Sequence, residues 1–288
     1  MPELPEVETI ARKLGNTIAG KRIVGVRLSG KALRRPVPAD FARRLQGRTV
    51  RAVHRRGKYL IVEMTPPAYW LIHLGMSGRL RYTGAPLRRS RHTHAVIRFA
   101  GGDELHYCDP RRFGLLDVYE LEKLEALPEI RRLGRDPLHS KIGVAGFWAE
   151  LRRSRTEIKA FLLDQRRIAG VGNIYASEAL FLARLHPARR CHTLKRGEAA
   201  ALIRAVRRVL RAAIDHRGTS FSDFTDSDGE LGEHQDFLRV FQREGEPCRC
   251  GRAVIRRLRQ ANRSTYYCPR CQPAHPACPE KEEESGDH

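Results

Sequence analysis

Apolar residues recur at i, i+3 and i+4 over Val7, Ile10, Ala11, Leu14 and Ile18, and Gly20 closes the run. That spacing predicts a helix near the amino terminus with one face turned to a core. Downstream the pattern changes. Arg22–Leu28, Val50–His54, Tyr59–Met64, Tyr69–Leu74, His94–Phe99 and Glu104–Cys108 are short β-type runs, separated by turn signals such as Thr65-Pro66-Pro67 and Ala100-Gly101-Gly102-Asp103. Several short strands in succession argue for an antiparallel sandwich or barrel.

The character shifts again between Pro128 and Pro137, where Gly134-Arg135-Asp136-Pro137 reads as an interdomain linker. Helical spacing follows in Gly146–Arg153, Thr156–Leu163, Asn173–Leu185 and Lys195–His216. The last run puts Leu202, Ile203, Val206, Val209 and Leu210 on one side and Arg204, Arg207, Arg208 and Arg211 on the other. The plain reading of that arginine face is solvation. Thr219–Glu246 is polar, rich in Gly, Ser and Asp and without clear periodicity, as functional loops and lids often are. The chain ends in Glu280-Lys281-Glu282-Glu283-Glu284, which reads as a disordered acidic tail. No internal repeat is visible. The expected class is α+β, with strands first and helices after.

Composition narrows the partners. The 288 residues carry 54 Lys+Arg, 45 of them Arg, against 33 Asp+Glu, a formal net charge of +21. A hydrophobic content of 41% fits a globular chain and excludes wholesale disorder. There is no apolar run long enough to span a bilayer, and Met1-Pro2-Glu3-Leu4-Pro5-Glu6 lacks the basic start and apolar core of a secretory signal. The expectation is a cytoplasmic protein, off the membrane, with a polyanionic partner; nucleic acid is the first candidate.

Five of the seven cysteines crowd into the last 41 residues. In a reducing compartment that clustering points to metal rather than disulfides. Cys268-Pro269-Arg270-Cys271 is a C-x-x-C knuckle, and Cys248-Arg249-Cys250-Gly251 offers a C-x-C pair upstream. Two thiolate pairs separated by an arm long enough for a β-hairpin suit one tetrahedral Zn2+, and four protein ligands leave no open position for chemistry. Five arginines on that arm, among them Arg263, suit contact with phosphates. The isolated Cys108 and Cys191 read as ordinary packed thiols.

The amino terminus carries chemistry of its own. If Met1 is removed, the chain begins with the secondary amine of Pro2. An α-amino group titrates near 8, so a sizeable neutral fraction exists at neutral pH. A neutral amine can attack an electrophilic carbon and form an iminium, and Glu3 beside it could shuttle protons.

Six further motifs carry a family resemblance. Met1-Pro2-Glu3-Leu4-Pro5-Glu6-Val7-Glu8-Thr9, Arg55-Arg56-Gly57-Lys58-Tyr59-Leu60, His73-Leu74-Gly75-Met76-Ser77-Gly78, Asp109-Pro110-Arg111-Arg112-Phe113-Gly114, Gly170-Val171-Gly172-Asn173-Ile174-Tyr175-Ala176-Ser177-Glu178 and Gly245-Glu246-Pro247-Cys248 occur in this order. Together they resemble bacterial formamidopyrimidine-DNA glycosylase, the Fpg/MutM family, over residues 1 to about 272. The resemblance implies an N-terminal β-sandwich domain (1–134), a helical helix–two-turns–helix domain with a lesion-recognition loop (135–246), a zinc finger (247–272) and a tail (273–288), with DNA across the cleft between the two halves.

It also implies roles. Pro2 is the nucleophile at C1′ and Glu3 the acid/base residue, so that base removal and strand cleavage by β,δ-elimination follow from one enzyme. Lys58 and Arg263 aid catalysis near the phosphates. His73, Lys159, Asn173 and Arg263 match DNA contacts. Met76, Arg111 and Phe113 match a trio that fills the gap left by a flipped nucleotide, which must leave the stack for chemistry at its sugar. Read without the family, Met76 and Phe113 would be core residues and Lys58 a surface lysine. Glu6 matches a residue near the flipped base, and Glu178 a structural carboxylate. Cys248, Cys250, Cys268 and Cys271 would hold the zinc.

Two departures stand out. The first knuckle is C-x-C where the family has C-x-x-C, so either Cys250 binds through a shifted backbone or His275 or Cys278 completes the shell. Glu233-His234 stands where aromatics are common in the loop that covers the damaged base. The implied substrate is double-stranded DNA with oxidised purines or abasic sites, acted on by a monomer. The rival readings are an endonuclease VIII-like enzyme for oxidised pyrimidines and a non-catalytic zinc-ribbon binder of damaged DNA.

Overall fold

The computed structural model describes residues 1–120, 124–220 and 227–275. The chain forms two compact units, Met1–Arg132 with Ala213–Gln235, and Leu133–Ala212 with Asp236–His288.

The first unit opens with α1 (Leu4–Ile18), which begins three residues before the apolar period because Glu3 caps it and Pro5, in the first turn, has no N–H to satisfy. Then follow β1 (Ile23–Leu28), α2 (Phe41–Leu45), β2 (Thr49–Arg56), β3 (Tyr59–Thr65), β4 (Ala68–His73), β5 (Arg79–Thr83), β6 (Thr93–Phe99), β7 (Glu104–Cys108), β8 (Leu115–Tyr119) and the short α3 (Pro128–Arg131). Among the described residues the strands form two antiparallel sheets, ordered β2-β3-β4-β8 and β1-β6-β7-β5. Leu60, Val62, Trp70 and Ile72 of the first share one core with Ala95, Ile97, Phe99, Leu105 and Tyr107 of the second, and Val7, Ile10, Leu14 and Ile18 of α1 join it. This is the expected sandwich. β3 and β4 are buried on both faces, Ile61 and Leu71 included, which is why they read as nearly unbroken apolar runs.

The observed strands match the sequence expectation within a residue or two. Four elements were not foreseen: α2, α3, β5 and β8. Arg79–Thr83 hides its strand because only Leu80 on it is fully buried while Arg81 is exposed. Leu115–Tyr119 follows the Phe113-Gly114 turn at once, leaving no spacer to announce it.

The second unit holds α4 (Val144–Arg152), α5 (Ile158–Leu163), α6 (Asn173–Leu182) and most of α7 (Arg196–Asp215), followed by the hairpin β9 (Arg256–Gln260) and β10 (Arg263–Tyr267). α6 is buried on every side from Ile174 to Leu180, as a central helix must be. Phe147 of α4 meets Phe161 of α5 edge to face, ring centroids 6.1 Å apart. Ala261 (φ 46°) and Asn262 (φ 60°) form the two-residue turn of the hairpin, matched to the twist of its strands. Among the described residues no helix is long and apolar enough to cross a membrane.

Candidate active site and metal centre

In the first unit, Pro2 and Glu3 are buried at the head of α1. The Glu3 N–H donates to Glu6 Oε2 at 2.8 Å, and Glu6 Oε1 accepts the N–H of Thr219 at 2.8 Å. Glu6 is 1% exposed, so both bonds are shielded from water. Gly218, at φ +85°, lies against the same carboxylate: a Cβ there would come within 2.9 Å of Glu6 Oε1. The start of the chain and the entry to the loop after α7 are thus fastened to one side chain.

Lys58 sits in the turn between β2 and β3, where Gly57 takes φ +59°. The neighbouring Arg55 donates Nε to Glu8 of α1 at 2.6 Å, which locks this turn to the first helix. Burial raises the Glu8 carboxyl, but the Arg55 and Arg12 guanidiniums outweigh it and hold the group below the usual carboxylate range. Lys58 is itself buried, at 7% exposed. His73 ends β4, its ring 4.9 Å from that of Tyr59 on β3. Burial, assisted by the charges of Lys58 and Arg34, pushes His73 down to about 4. Its Nδ1 accepts the Gly75 N–H at 3.0 Å, which assigns the neutral ring's proton to Nε2.

Met76 and Phe113 are 41% and 47% exposed, so neither is a core residue. Two loops carry them, and Asp109 binds the loops together. It is fully buried, accepts from Ser77 Oγ at 2.7 Å and from the Gly114 N–H at 2.8 Å, and the Arg111 N–H donates to Ser77 Oγ at 3.2 Å. The loops approach so closely that a Cβ on Gly75 would lie 2.5 Å from the Phe113 carbonyl carbon. The Arg111 guanidinium lies 4.9 Å from the Phe113 ring centroid, a cation–π contact on the exposed tip. A rigid base thus presents two apolar side chains and one arginine to solvent.

In the second unit, Gly172 caps α6 and Asn173 is its first residue. Gln165 braces the preceding turn, accepting the Gly170 N–H at 2.8 Å and donating to the Val171 carbonyl at 2.8 Å. Asn173 Nδ2 donates to the Ser264 carbonyl at 3.0 Å. Lys159, expected at the phosphates, is 1% exposed, and its ammonium donates to Thr265 Oγ1 at 2.6 Å and to the Ser264 carbonyl at 3.3 Å. Both residues therefore hold β10 just beyond Arg263, which is exposed beside the hairpin turn. Glu178, also 1% exposed, takes the N–H groups of Arg239, Val240 and Phe241 at 2.9–3.0 Å. It fixes the backbone that leads to the cysteines.

The sulfurs of Cys248, Cys250, Cys268 and Cys271 all lie within 4.8 Å of one another. Cys248 Sγ is 3.9 Å from Cys271 Sγ, and Cys250 Sγ is 3.9 Å from Cys268 Sγ. Zinc–sulfur bonds of about 2.3 Å in a tetrahedron require sulfur separations of about 3.8 Å. The set fits one structural Zn2+. Gly251, at φ +68°, makes the tight turn that lets a C-x-C pair converge. Cys250 completes the cluster; Cys278 lies outside the described residues.

Comparison with known proteins agrees with this geometry. Three family models match: the formamidopyrimidine-DNA glycosylase N-terminal domain over residues 1–116, the formamidopyrimidine-DNA glycosylase H2TH domain over 133–225, and the zinc finger found in FPG and IleRS over 245–274. The formamidopyrimidine-DNA glycosylase of Pelotomaculum thermopropionicum is 42% identical over 274 residues, covering 94% of this chain and 99% of its own. The chain belongs to the formamidopyrimidine-DNA glycosylase family. Among solved structures, MutM (FPG) from Thermus thermophilus superposes with a TM-score of 0.85 at 38% identity, covering 96% of this chain and all of that one. The Lactococcus lactis Fpg in complex with DNA containing an abasic site gives 0.86 at 33% identity, covering 94% of this chain and all of that one.

Several residues that hold this member of the family together were not singled out from sequence. Asp109 stands in the Asp109–Gly114 motif without a role of its own in the sequence reading, yet it is the residue on which both exposed loops depend. An aspartate followed by Pro and closed by Gly five residues later is a turn signal that could have identified it. Gln165 and Thr219 carried no signal, because their partners are backbone groups or distant in sequence.

Proposed function

We propose that the chain is a bifunctional DNA glycosylase and abasic-site lyase that removes oxidised purines, such as 8-oxoguanine and formamidopyrimidines, from duplex DNA. The observation that carries the reading is the amino terminus: Pro2 and Glu3 are buried at the head of α1 and fastened through Glu6. Family membership supports it.

The chemistry begins once Met1 is gone, since an acylated Pro2 nitrogen is an amide with no available lone pair. The neutral amine attacks C1′ of the damaged nucleotide. The glycosidic bond breaks, its electron pair leaves with the base, and the base takes up the proton that the Pro2 nitrogen gives up. Glu3 delivers a proton to the sugar oxygen as the ring opens, leaving an iminium between Pro2 and C1′. That cation acidifies C2′–H; loss of the proton expels the 3′ phosphate, and a second elimination expels the 5′ phosphate. Hydrolysis of the iminium then frees Pro2.

Lys58 and His73 of the first unit, with Lys58 aiding the chemistry at the sugar, and Asn173 and Arg263 of the second serve phosphates of the bound duplex. Lys159 acts through the position of β10. Met76, Arg111 and Phe113 occupy the gap left by the extruded nucleotide, offsetting an unstacking cost of a few kcal/mol. Zinc keeps the hairpin folded and takes no part in the reaction. A monomer suffices, and the substrate places the enzyme with the chromosome in the cytoplasm.

Borohydride reduction in the presence of 8-oxoguanine duplex tests the scheme. A covalent protein–DNA adduct is expected, absent after Pro2→Gly or after blocking of the terminal amine. Adducts with thymine glycol but not with oxidised purines would shift the reading to pyrimidine repair. No adduct with either would leave a binding protein.

A further inference from the structure

The geometry points to a second contact for the phosphate backbone of duplex DNA, on the outer face of α7, formed by Arg204, Arg208 and Arg211 with Arg207 at its edge. The argument starts from helical spacing. Positions 204, 208 and 211 fall on one side of a helix, and all three side chains are exposed. The opposite side, Leu202, Ile203, Val206, Val209 and Leu210, is buried. This face is therefore fixed outward by the core and cannot rotate away.

Charge is the second element. Among the described residues none of the three arginines has a carboxylate within ion-pair distance. Glu198, near the start of the same helix, is taken up by Arg189, which reaches it with two nitrogens at 2.5 and 2.8 Å. Elsewhere exposed arginines of this protein do have partners, as Arg166 does with Asp164 at 3.0 Å. A row of like charges left unneutralised costs stability through self-repulsion, and a solvated face alone does not call for it.

The row also has an extension. Arg207 is half-buried because it donates Nε to the Pro137 carbonyl at 3.0 Å and a terminal nitrogen to the Ser140 carbonyl at 3.4 Å. Those bonds pin to α7 the segment that carries exposed His139 and Lys141. At about 1.5 Å rise per residue, Arg204 to Arg211 spans about 10.5 Å. One DNA strand presents a phosphate about every 3.4 Å of axis, so the row faces about three. It shares no residue with the Lys159–Asn173–Arg263 group.

The consequence is a protein able to touch a second stretch of duplex while a lesion occupies its active site, as transfer between DNA segments requires. The inference rests on the reading of the chain as a duplex-DNA enzyme. The test uses the full-length zinc-loaded protein, saturated with a short donor-labelled duplex carrying a tetrahydrofuran abasic-site analogue. An acceptor-labelled undamaged duplex is then titrated in, and energy transfer is read while the first duplex is checked to remain bound. Wild type is expected to take up the second duplex at low salt. Three neutralised phosphates give a slope of about 2.7 in log affinity against log salt, or about a 40-fold loss between 50 and 200 mM. R204Q/R208Q/R211Q should lose that uptake and R204K/R208K/R211K should keep it. The lysine variant should melt as wild type and the glutamine variant no lower than wild type, and both should excise a lesion from a short duplex at the wild-type rate. No uptake by wild type, or equal uptake by the glutamine variant, overturns the proposal. Failure to bind the first duplex would instead overturn the functional reading on which it rests.

Discussion

Glu6 accepts the N–H of Thr219 at 2.8 Å across 213 residues of sequence, while its other oxygen holds the N–H of Glu3. One buried carboxylate thereby sets the position of the proposed nucleophile's neighbour and of the segment entering the loop after α7. A glutamine at this site can accept only one of the two bonds and turns an NH2 group towards the other donor. Glu6→Gln is expected to destabilise the protein by about 2 kcal/mol, the scale of a lost buried bond to a charged group. That corresponds to a fall in Tm of about 4–8 °C. Single-turnover excision should fall by more than tenfold in protein that remains folded. Wild-type stability in the variant would show that the carboxylate bears no load.

The exposed wedge separates stability from function. Met76 and Phe113 bury little, so Met76→Ala and Phe113→Ala should each leave stability within about 0.5 kcal/mol of wild type. Excision of a paired lesion should nevertheless drop at least tenfold in Phe113→Ala, because the unstacked site then has no filler. The loss should shrink for a lesion in single-stranded DNA, which has no stack to fill. A large fall in Tm would mean that the ring is a packing residue after all.

Histidine 73 predicts a particular dependence of stability on pH. Its folded value of about 4 lies below the ordinary 6.5, so between these values the unfolded chain binds the proton and the folded one does not. Stability from this group is complete above pH 6.5, falls as the pH drops towards 4 and levels off below it. The slope at its steepest approaches about 1.4 kcal/mol per pH unit. His73→Asn should be flatter than wild type across that window in urea titrations at successive pH values. Parallel curves would count against a depressed His73.

How much of this could be read from the chain depended on whether a residue's partner is near it in sequence. Strands β1, β2, β3, β4, β6 and β7 and helices α1 and α4 to α7 were visible because burial imposes a period, and the cysteine pairs because tetrahedral zinc imposes a spacing. The exposed wedge was visible only through motif resemblance, since periodicity alone would have put Met76 and Phe113 in the core. Lys159 shows the opposite limit. A lysine on an apolar helix looks like a surface cation, and only the tertiary fold reveals that β10 covers it. The Glu6–Thr219 bond could not be read at all, because nothing local marks a carboxylate whose partner is a distant backbone amide.

That distinction can be measured. Arg263→Ala removes an exposed cation, so it should leave stability unchanged and reduce the salt slope of DNA binding by about 0.9. Lys159→Ala removes the buried donor that Thr265 and the Ser264 carbonyl accept from, so its principal effect should be on stability, at about 1–3 kcal/mol. The Lys159 variant should bind DNA with a nearly unchanged salt slope. Were it to lose a full 0.9 at wild-type stability, the ammonium would be a phosphate ligand and its burial in the free protein would be relieved on binding.

The metal centre offers the sharpest check, because its fourth ligand was ambiguous in sequence and is defined by distance in the structure. With Cys250 Sγ 3.9 Å from Cys268 Sγ, the C-x-C pair closes the tetrahedron without help from residues beyond Gln272. Cys250→Ser should lower zinc content below one equivalent by metal analysis. Cys278→Ser and His275→Ala should each retain a full equivalent. Because zinc binding and folding of such modules are coupled, metal removal should unfold the hairpin bearing Arg263 while the β-sandwich, built on its own core, stays folded. Near-ultraviolet circular dichroism and limited proteolysis after chelation would then show loss confined to the carboxy-terminal region, with DNA affinity recovering when zinc is restored. Full zinc occupancy in Cys250→Ser, or its loss in Cys278→Ser, would assign the fourth position to a different side chain.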